Sequence, residues 1–267
     1  VAPVARQDHG PATAVTPARL SRMNPRLARR AVLGGALAAS AAYLVVRPPF
    51  GLWPSLSEIT SDYRTGAGQQ RRITTAGGAT IELNTRTSVD IRPVADDIER
   101  IELIAGEAAI STAAYTSRSV EAMAGDGHAT ASDATFNVRV IGSSVCVTCV
   151  AGEVLVKLRG QAVTLRQRQQ VTYTDRELRA TVEVDPAGVT SWQQGVLIFH
   201  DEPLDRVVEE VNRYWSGKII VANADLAKRL VTARVKLDHL DDAITQIGLV
   251  FHANVTWLPG GIVVLRA

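Results

Sequence analysis

The two cysteines are the residues of this sequence with the most obvious chemical potential. Cys146 and Cys149 form a C-x-x-C, a spacing typical of a redox pair or of half a zinc site. The surrounding residues 144–150 are apolar and β-branched, which predicts a strand. Residues three apart on a strand face opposite sides, with Cα atoms roughly 10 Å apart, which exceeds the limit of about 7 Å for a disulfide. Because no second C-x-x-C completes a zinc site, we interpret both cysteines as structural residues.

Other groups able to do chemistry are isolated from one another. His128 follows Gly-Asp-Gly with no second histidine in its region, so we interpret it as a solvated loop histidine. Asp96 and Asp97 lie close after Pro93, where aspartate favours a turn. Residues 66–68 read Gly-Ala-Gly but lack the Lys-Ser/Thr of a phosphate loop. The remaining histidines downstream are scattered: His200, His239 and His252. The sequence therefore predicts no catalytic, cofactor-binding or metal-binding residues, and a protein that is not an enzyme.

Composition and charge narrow the class of protein further. The 267 residues are 46% hydrophobic, which is enough for one large or two modest globular units. The net charge of +2 argues against a broad nucleic-acid surface. Five arginines nevertheless crowd the stretch before the most apolar segment, and no acid occurs between residues 9 and 52: Arg19, Arg22, Arg26, Arg29 and Arg30. A basic block beside an apolar run is typical of a membrane boundary.

Residues 31–46 are uncharged and apolar, and they predict a transmembrane or signal-anchor helix. Sixteen helical residues span roughly 24 Å, short of the hydrocarbon core of about 30 Å, but Phe50, Leu52 and Trp53 can extend the span into the interface. A cleaved signal peptide is the alternative, although its small-x-small pattern at residues 39–41 lies inside the apolar run. We favour the uncleaved anchor. Arg29 and Arg30 precede the apolar run, as in a twin-arginine export signal, and this export route remains an alternative.

The positive-inside rule orients this anchor with its N-terminal side in the cytoplasm. Residues 1–30 are then a basic, cytoplasmic segment, and their Ala, Pro and Thr content without periodicity predicts disorder. Residues 47–61 form a linker, and the bulk of the chain lies outside the cytoplasm.

Residues 62–190 predict a mainly β domain. Short alternating runs are separated by turn signals, such as the Gly77-Gly78 hairpin and Pro93, and no long amphipathic helix interrupts them. The predicted strands are residues 72–75, 80–84, 88–92, 98–104, 136–140, 145–150, 154–158, 162–165 and 169–173. Gly152 separates two of these runs. The spacing favours a stacked or sandwich-like arrangement of short strands.

Residues 191–267 predict a small α+β domain with the order β-α-β-β-α-β, a split βαβ unit. The apolar residues of its first helix lie on one face: Leu204, Val207, Val208, Val211 and Trp215. A second helix covers residues 241–249, and a closing hairpin turns at residues 259–261. The sheet of such a unit has open edges, to which a partner's strand can pair.

Residues 62–88 resemble the opening of the FecR family's periplasmic domain, with its Tyr-x-Thr-x-x-Gly start, Gly-turn hairpin and Leu-Asn-x-x-Ser strand. Residues 104–110 are similar to the family's Leu-x-x-Gly-Glu step. Residues 136–139 and 145–156 are similar to its Phe-x-Val-Arg and Val-x-x-Gly-x-Val elements. The C-terminal unit resembles the short N-terminal domain of secretins and TonB-dependent receptors. The resemblance covers roughly residues 60–267.

This resemblance implies an anti-sigma regulator that crosses the inner membrane once and has the bulk of its chain in the periplasm. Such a protein relays a signal from the periplasmic signalling domain of a TonB-dependent outer-membrane receptor to an extracytoplasmic-function sigma factor, and it controls iron or siderophore uptake genes. Family members bind the sigma factor through a cytoplasmic helical domain, for which residues 1–30 are too short and too rich in Pro. We therefore expect that part either to precede Val1 or to be supplied by another chain. The alternative is a periplasmic adaptor without a sigma factor.

One departure from the family pattern concerns self-cleavage. Some family members cleave themselves at a Gly-Thr pair just before the Phe-x-Val-Arg element, and this sequence has Asp133 and Ala134 there. The resemblance implies a threonine hydroxyl as the nucleophile, which alanine lacks. We predict that this chain stays intact at that bond.

Overall fold

The computed structural model describes residues 56–112 and 118–267. The predicted disordered segment at 1–30, the membrane helix at 31–46 and most of the linker at 47–61 lie outside the described residues. Within the described part, no helix combines the length and the apolar character that crossing a membrane requires.

The β-rich part begins after a short helix, α1 (Leu56–Thr60), and thirteen strands form one sheet among the described residues. The strands are β1 (Tyr63–Arg64), β2 (Arg71–Thr74), β3 (Thr80–Leu83), β4 (Ser88–Ala95), β5 (Ile98–Ala105), β6 (Glu107–Ser111), β7 (Ser119–Ala124), β8 (Gly127–Ala131), β9 (Ala134–Ile141), β10 (Ser144–Leu158), β11 (Gln161–Arg166), β12 (Gln169–Tyr173) and β13 (Val182–Glu183). The main path runs β1-β4-β5-β7-β8-β10-β9-β6-β3-β2. Neighbours pair antiparallel except β5 and β7, which are parallel.

Strand β10 curls this sheet. Its first half pairs with β9 and β12, whereas its second half pairs with β8 and β11. A bulge between Cys149 and Ala151 and a left-handed Gly152, with φ of +78°, bend the strand between the two halves. The two runs that the sequence shows on either side of Gly152 are therefore one strand. Glycine is required there because a Cβ would lie 2.2 Å from the Asp133 carbonyl oxygen.

The two halves of the curled sheet enclose one apolar core. Strands β5 and β7 of one half lie against β9 of the other. Fully buried side chains fill the space between them: Ile81, Leu83, Ile101, Leu103, Ile110, Phe136 and Leu165. The predicted mainly β class is confirmed, and the sandwich-like layers come from a single sheet that folds over on itself.

Two local predictions in this sheet can be compared with the structure. Asp96 and Asp97 form the two-residue turn between β4 and β5, with φ of +53° and +58°, as their residue type favours. The predicted end of β4 at Pro93 is wrong, because the strand continues to Ala95. The pairing with β5 is irregular between Arg92 and Ala95, so proline's missing N–H removes no regular ladder bond.

The C-terminal part starts with α2 (Pro186–Thr190) and a 3-10 turn (Ser191–Gln194). Its further elements are β14 (Val196–Pro203), α3 (Leu204–Tyr214), β15 (Lys218–Val221), α4 (Ala224–Ala227), β16 (Leu230–Lys236), α5 (Leu240–Val250), β17 (Asn254–Leu258) and β18 (Ile262–Arg266). A second apolar core includes Leu204, Val207, Leu226, Ile244, Val263 and Leu265.

The predicted split βαβ unit needs two corrections. The predicted closing hairpin is present as β17 and β18, which gives five strands where the order β-α-β-β-α-β counts four, and the short helix α4 was not predicted. The strands also form two sheets: an antiparallel pair β14-β16, and a three-stranded sheet β15-β18-β17 in which β15 and β18 are parallel. Sequence periodicity identifies the helices and strands. Which strands pair with one another depends on tertiary packing, which the periodicity does not encode.

Candidate functional site

The two cysteines lie on β10 with their side chains on opposite faces, as predicted. Cys149 is buried in the core of the curled sheet, and Cys146 is half-buried on the outer face, opposite Arg139. Both are free thiols. Burial raises the pKa of each thiol, which disfavours the reactive thiolate. This arrangement suits structural residues.

His128 lies elsewhere than the sequence predicts. It belongs to strand β8, where its Nδ1 atom lies 3.2 Å from Oε1 of Glu121 on β7. The tight turn at Gly125 and Asp126 brings Gly127 and His128 into the strand, so the predicted loop is wrong, although the His128 side chain is 44% exposed. Within residues 56–112 and 118–267, no group of three His, Cys, Asp or Glu side chains is placed to hold a metal ion.

The carboxylate of Glu107 at the start of β6 is a buried charged group with partners from both the β-rich and the C-terminal part. The residue is only 3% exposed. Its two oxygens accept hydrogen bonds from Asn84 Nδ2 at 2.9 Å and Asn137 Nδ2 at 3.0 Å. Arg213 NH2, on helix α3, lies 2.9 Å from Oε2 and forms an ion pair. A buried carboxylate requires such partners because desolvation otherwise disfavours its charge.

A second ion-pair layer extends this contact. Arg213 NH1 donates to Glu210 Oε1 at 2.6 Å, and Glu210 also pairs with Arg139 of β9. The β domain and helix α3 thus each contribute one carboxylate and one guanidinium group, and the charges alternate in sign along the series Glu107, Arg213, Glu210 and Arg139. Burial disfavours the charge of Arg213, but Glu107 and then Glu210 outweigh that effect, so the pKa of its guanidinium is raised. The charges balance, which favours keeping these four buried and partly buried groups together.

Tyr214 joins the same cluster. Its hydroxyl accepts a hydrogen bond of 2.8 Å from Asn84 Nδ2, the amide that also binds Glu107. Burial first, and then the carboxylate of Glu107, raise the pKa of the phenol, so it stays neutral. The phenol thereby holds the end of α3 against the β domain without adding a charge.

The loop after β3 also caps helix α3. Thr85 Oγ1 and Arg86 Nε each donate to the Arg213 carbonyl oxygen at 2.9 Å, and Arg86 NH2 donates to the Trp215 carbonyl at 3.0 Å. The last carbonyls of a helix have no partner within the helix, and its C-terminal end favours a positive charge. The β domain therefore supplies what this helix end lacks. We name the buried and half-buried residues of this contact the buried polar cluster: Asn84, Thr85, Glu107, Asn137, Arg139, Glu210, Arg213 and Tyr214.

Apolar packing surrounds the buried polar cluster. Ala109 of β6 is 4% exposed and belongs to the apolar core of the C-terminal part, beside residues such as Trp192. Gln70 Nε2 donates to the Trp192 carbonyl at 2.8 Å. An open cleft of about 620 Å³ adjoins the cluster and is lined by Arg139, Cys146 and residues of β14 and α3.

Sequence reasoning did not single out this cluster. Its β-domain members lie within the segments that carry the resemblance: Asn84 follows β3, Glu107 follows Gly106, and Asn137 and Arg139 lie in the Phe-x-Val-Arg element. The available signal was a polar side chain placed beside apolar neighbours in three separate strand segments. Nothing in the pattern indicates that the three meet at one helix.

Ala134 lies in a regular strand, and we expect the bond between Asp133 and Ala134 to remain uncleaved. Ala134 begins β9, its N–H donates to Thr112 Oγ1 at 2.9 Å, and its methyl group offers no nucleophile to the Asp133 carbonyl. Purified protein kept for days at neutral pH should migrate as one band on a denaturing gel, with an intact mass by mass spectrometry. A pair of fragments separating between Asp133 and Ala134 would contradict this.

Comparisons with known proteins agree with the fold, and part of the chain matches a family model. Residues 61–155 match the model of a protein family described as FecR protein. No curated protein matches the chain. Two crystal structures, at 1.65 Å and 2.50 Å resolution, each of a candidate anti-sigma factor from Parabacteroides distasonis ATCC 8503, are similar in fold. Their TM-scores are 0.66 and 0.65 at 18% identity, and they cover 77% and 76% of this chain and 98% and 97% of their own.

Proposed function

We propose, from the FecR domain at residues 61–155, that this chain is a non-catalytic signalling regulator of the anti-sigma type. The observation that carries the proposal is the buried polar cluster. The FecR segments place Asn84, Glu107 and Asn137 against helix α3 of the C-terminal part, so a partner that displaces α3 would act directly on the FecR domain.

The physical basis of such a relay is that the cluster has two distinct states. When α3 is docked, Glu107 and Arg213 neutralise each other out of water. When α3 moves away, both charges must be hydrated together, because either one left alone and buried costs several kcal/mol. Intermediate positions are unfavourable, and packed interfaces of this kind switch between arrangements instead of deforming gradually.

The finer parts of the proposal follow from the sequence resemblance. We propose that residues 31–46 anchor the chain in the inner membrane with the described part in the periplasm. The outer partner is the periplasmic signalling domain of a TonB-dependent receptor, and the inner partner is an extracytoplasmic-function sigma factor. The controlled genes are those of iron or siderophore uptake. The C-terminal part supports the outer partnership, since it presents open strand edges to which another domain can pair.

We expect the full-length chain to capture the signalling domain of one TonB-dependent receptor from the same cell, and deletion of the chain to change transcription from a promoter dependent on the partner sigma factor. Immobilised chain would be tested against each purified receptor domain, and a reporter gene would measure the promoter. Binding of no receptor domain together with unchanged reporter output would contradict the proposal. Receptor binding with unchanged transcription would instead favour the adaptor.

A further inference from the structure

Strand β16 has one paired edge and one open edge among the described residues. It pairs with β14 alone, in a two-stranded sheet. The Leu237 N–H donates to the Gly195 carbonyl and the Leu204 N–H donates to the Arg229 carbonyl, each at 2.9 Å. Because backbone bonds alternate along an antiparallel pair, the odd-numbered residues of β16 bond to β14. The backbone groups of Thr232, Arg234 and Lys236 therefore point to the open edge.

Helix α5 leaves apolar surface uncovered beside this edge. An open groove of about 700 Å³ runs between β16 and α5, with Val207 among its lining residues and Ile247 and Val250 on the helix side. Val250 is 67% exposed although it is a large apolar residue. Because residues of β16 and of α5 line the same groove, a further strand paired to β16 would contact the exposed apolar side chains of α5. We name this feature the β16 groove: the open edge of β16 with Ala243, Ile247, Val250 and Phe251.

The charge around the β16 groove is mainly basic. Arg234 and Lys236 are exposed on β16, and the Arg229 guanidinium lies 5.8 Å from the Phe251 ring centroid at the end of the groove. Asp242 is the acidic residue that lines it. On an added strand, side chains next to Arg234 and Lys236 would be their cross-strand neighbours, and opposite charges at such positions are favourable.

We propose that the β16 groove binds an extended segment of another protein in which apolar side chains alternate with carboxylates. The segment adds to the open edge of β16 as a third strand. Its apolar side chains contact Ile247 and Val250, and its carboxylates lie beside Arg234 and Lys236. Pairing through the backbone gives affinity, and the alternate side chains give selectivity. This inference rests on the proposed function for one point: the natural ligand would be a segment of the receptor's signalling domain.

A fluorescein-labelled nine-residue peptide with valine at alternate positions and glutamate between them tests the proposal by fluorescence anisotropy on the full-length chain. We expect saturable binding that weakens at least tenfold in the double variant Arg234→Glu/Lys236→Glu and in Val250→Asp. All three side chains are exposed, so these variants should fold, and a circular dichroism melt checks this. Lys228→Glu, an exposed charge reversal in the turn between α4 and β16, is the matched control and should bind as the wild type does.

Two further measurements separate a strand from other modes of binding. The amide protons of Arg234 and Lys236 should exchange more slowly with solvent when the peptide is bound, because the added strand accepts from them. A peptide with lysine in place of glutamate should bind at least tenfold more weakly. Equal affinity for the lysine peptide, unchanged affinity in the groove variants, or binding without amide protection would each overturn the proposal. A wild-type dimer that the double variant dissociates would also overturn it, because a second copy would then be the occupant.

These outcomes are distinguishable from failure of the proposed function. If a receptor domain binds the wild type and the groove variants equally, the groove proposal is wrong and the regulatory function stands. If the peptide binds as described but no receptor domain does, the groove proposal stands and the proposed receptor partnership is wrong.

Discussion

Replacing Arg213 by methionine should lower the free energy of unfolding by about 3–5 kcal/mol, the range for removing one partner of a buried ion pair. The substitution leaves Glu107, which is 3% exposed, with only the amides of Asn84 and Asn137, and leaves Glu210 with Arg139. Methionine fills much of the space of the aliphatic part of arginine, so lost packing contributes little. Urea unfolding of the full chain, followed by circular dichroism, measures the change.

The matched control is Arg206→Met on the same helix. Arg206 pairs with Glu209 at 3.0 Å, but both side chains are about two-thirds exposed, and an exposed pair of this kind contributes about 0–1 kcal/mol. Combining Arg213→Met with Glu107→Gln should recover part of the loss, because no buried charge then lacks its partner. An Arg213→Met effect as small as that of Arg206→Met would show that the buried polar cluster does not hold α3 against the β domain.

The same variant tests the relay. If docking of α3 transmits the signal, Arg213→Met should leave a promoter dependent on the partner sigma factor in one fixed state, with or without receptor stimulation. Arg206→Met should respond as the wild type does. A normal response in Arg213→Met would remove the cluster from the signalling route while leaving its structural role.

Most strands of the β domain were predictable because alternating apolar residues and glycine turns determine them locally, but the strands β6, β7 and β8 were not predicted. The two-residue turn at Asp96 and Asp97 and the opposite faces of Cys146 and Cys149 followed from side-chain period and turn chemistry alone. The path of β10 was not predictable in the same way. Gly152 is a turn signal by residue type, and only its contact with the Asp133 carbonyl shows that it bends a continuous strand.

The buried polar cluster could not be predicted for a related reason. Alternation fails on β9, where Phe136, Asn137 and Val138 are all buried. One face of β9 lies against the β-domain core and the other is covered by the C-terminal part. A sequence pattern shows which residues are apolar. A polar residue such as Asn137 is buried because helix α3, about seventy residues further along the chain, packs against it. Such long-range contacts leave no local periodicity.

Phe136 should be the most sensitive apolar position of that strand, and Phe136→Ala should lower the free energy of unfolding by about 3–5 kcal/mol, the range for a buried phenylalanine. Its side chain is fully buried, with Ile110 of β6 and Cys149 of β10 directly opposite on the two neighbouring strands. Truncation removes contacts to both partners, and the hydrogen-bonded ladder on either side of β9 limits how far the sheet can close the cavity.

Two variants make this prediction specific. Phe136→Leu keeps much of the volume and should cost about 1 kcal/mol. Ile141→Ala on the same strand, at a residue 49% exposed, should cost less than Phe136→Leu. Chemical unfolding of all three proteins gives the order of their free energies of unfolding.

Because Phe136 faces the core while Asn137 faces Glu107, Phe136→Ala should weaken the β domain and leave the docked contact of α3 in place below the unfolding transition. Binding of the Val-Glu peptide to the β16 groove should then be unchanged in Phe136→Ala, and a loss of that binding would show that the two cores unfold as one unit.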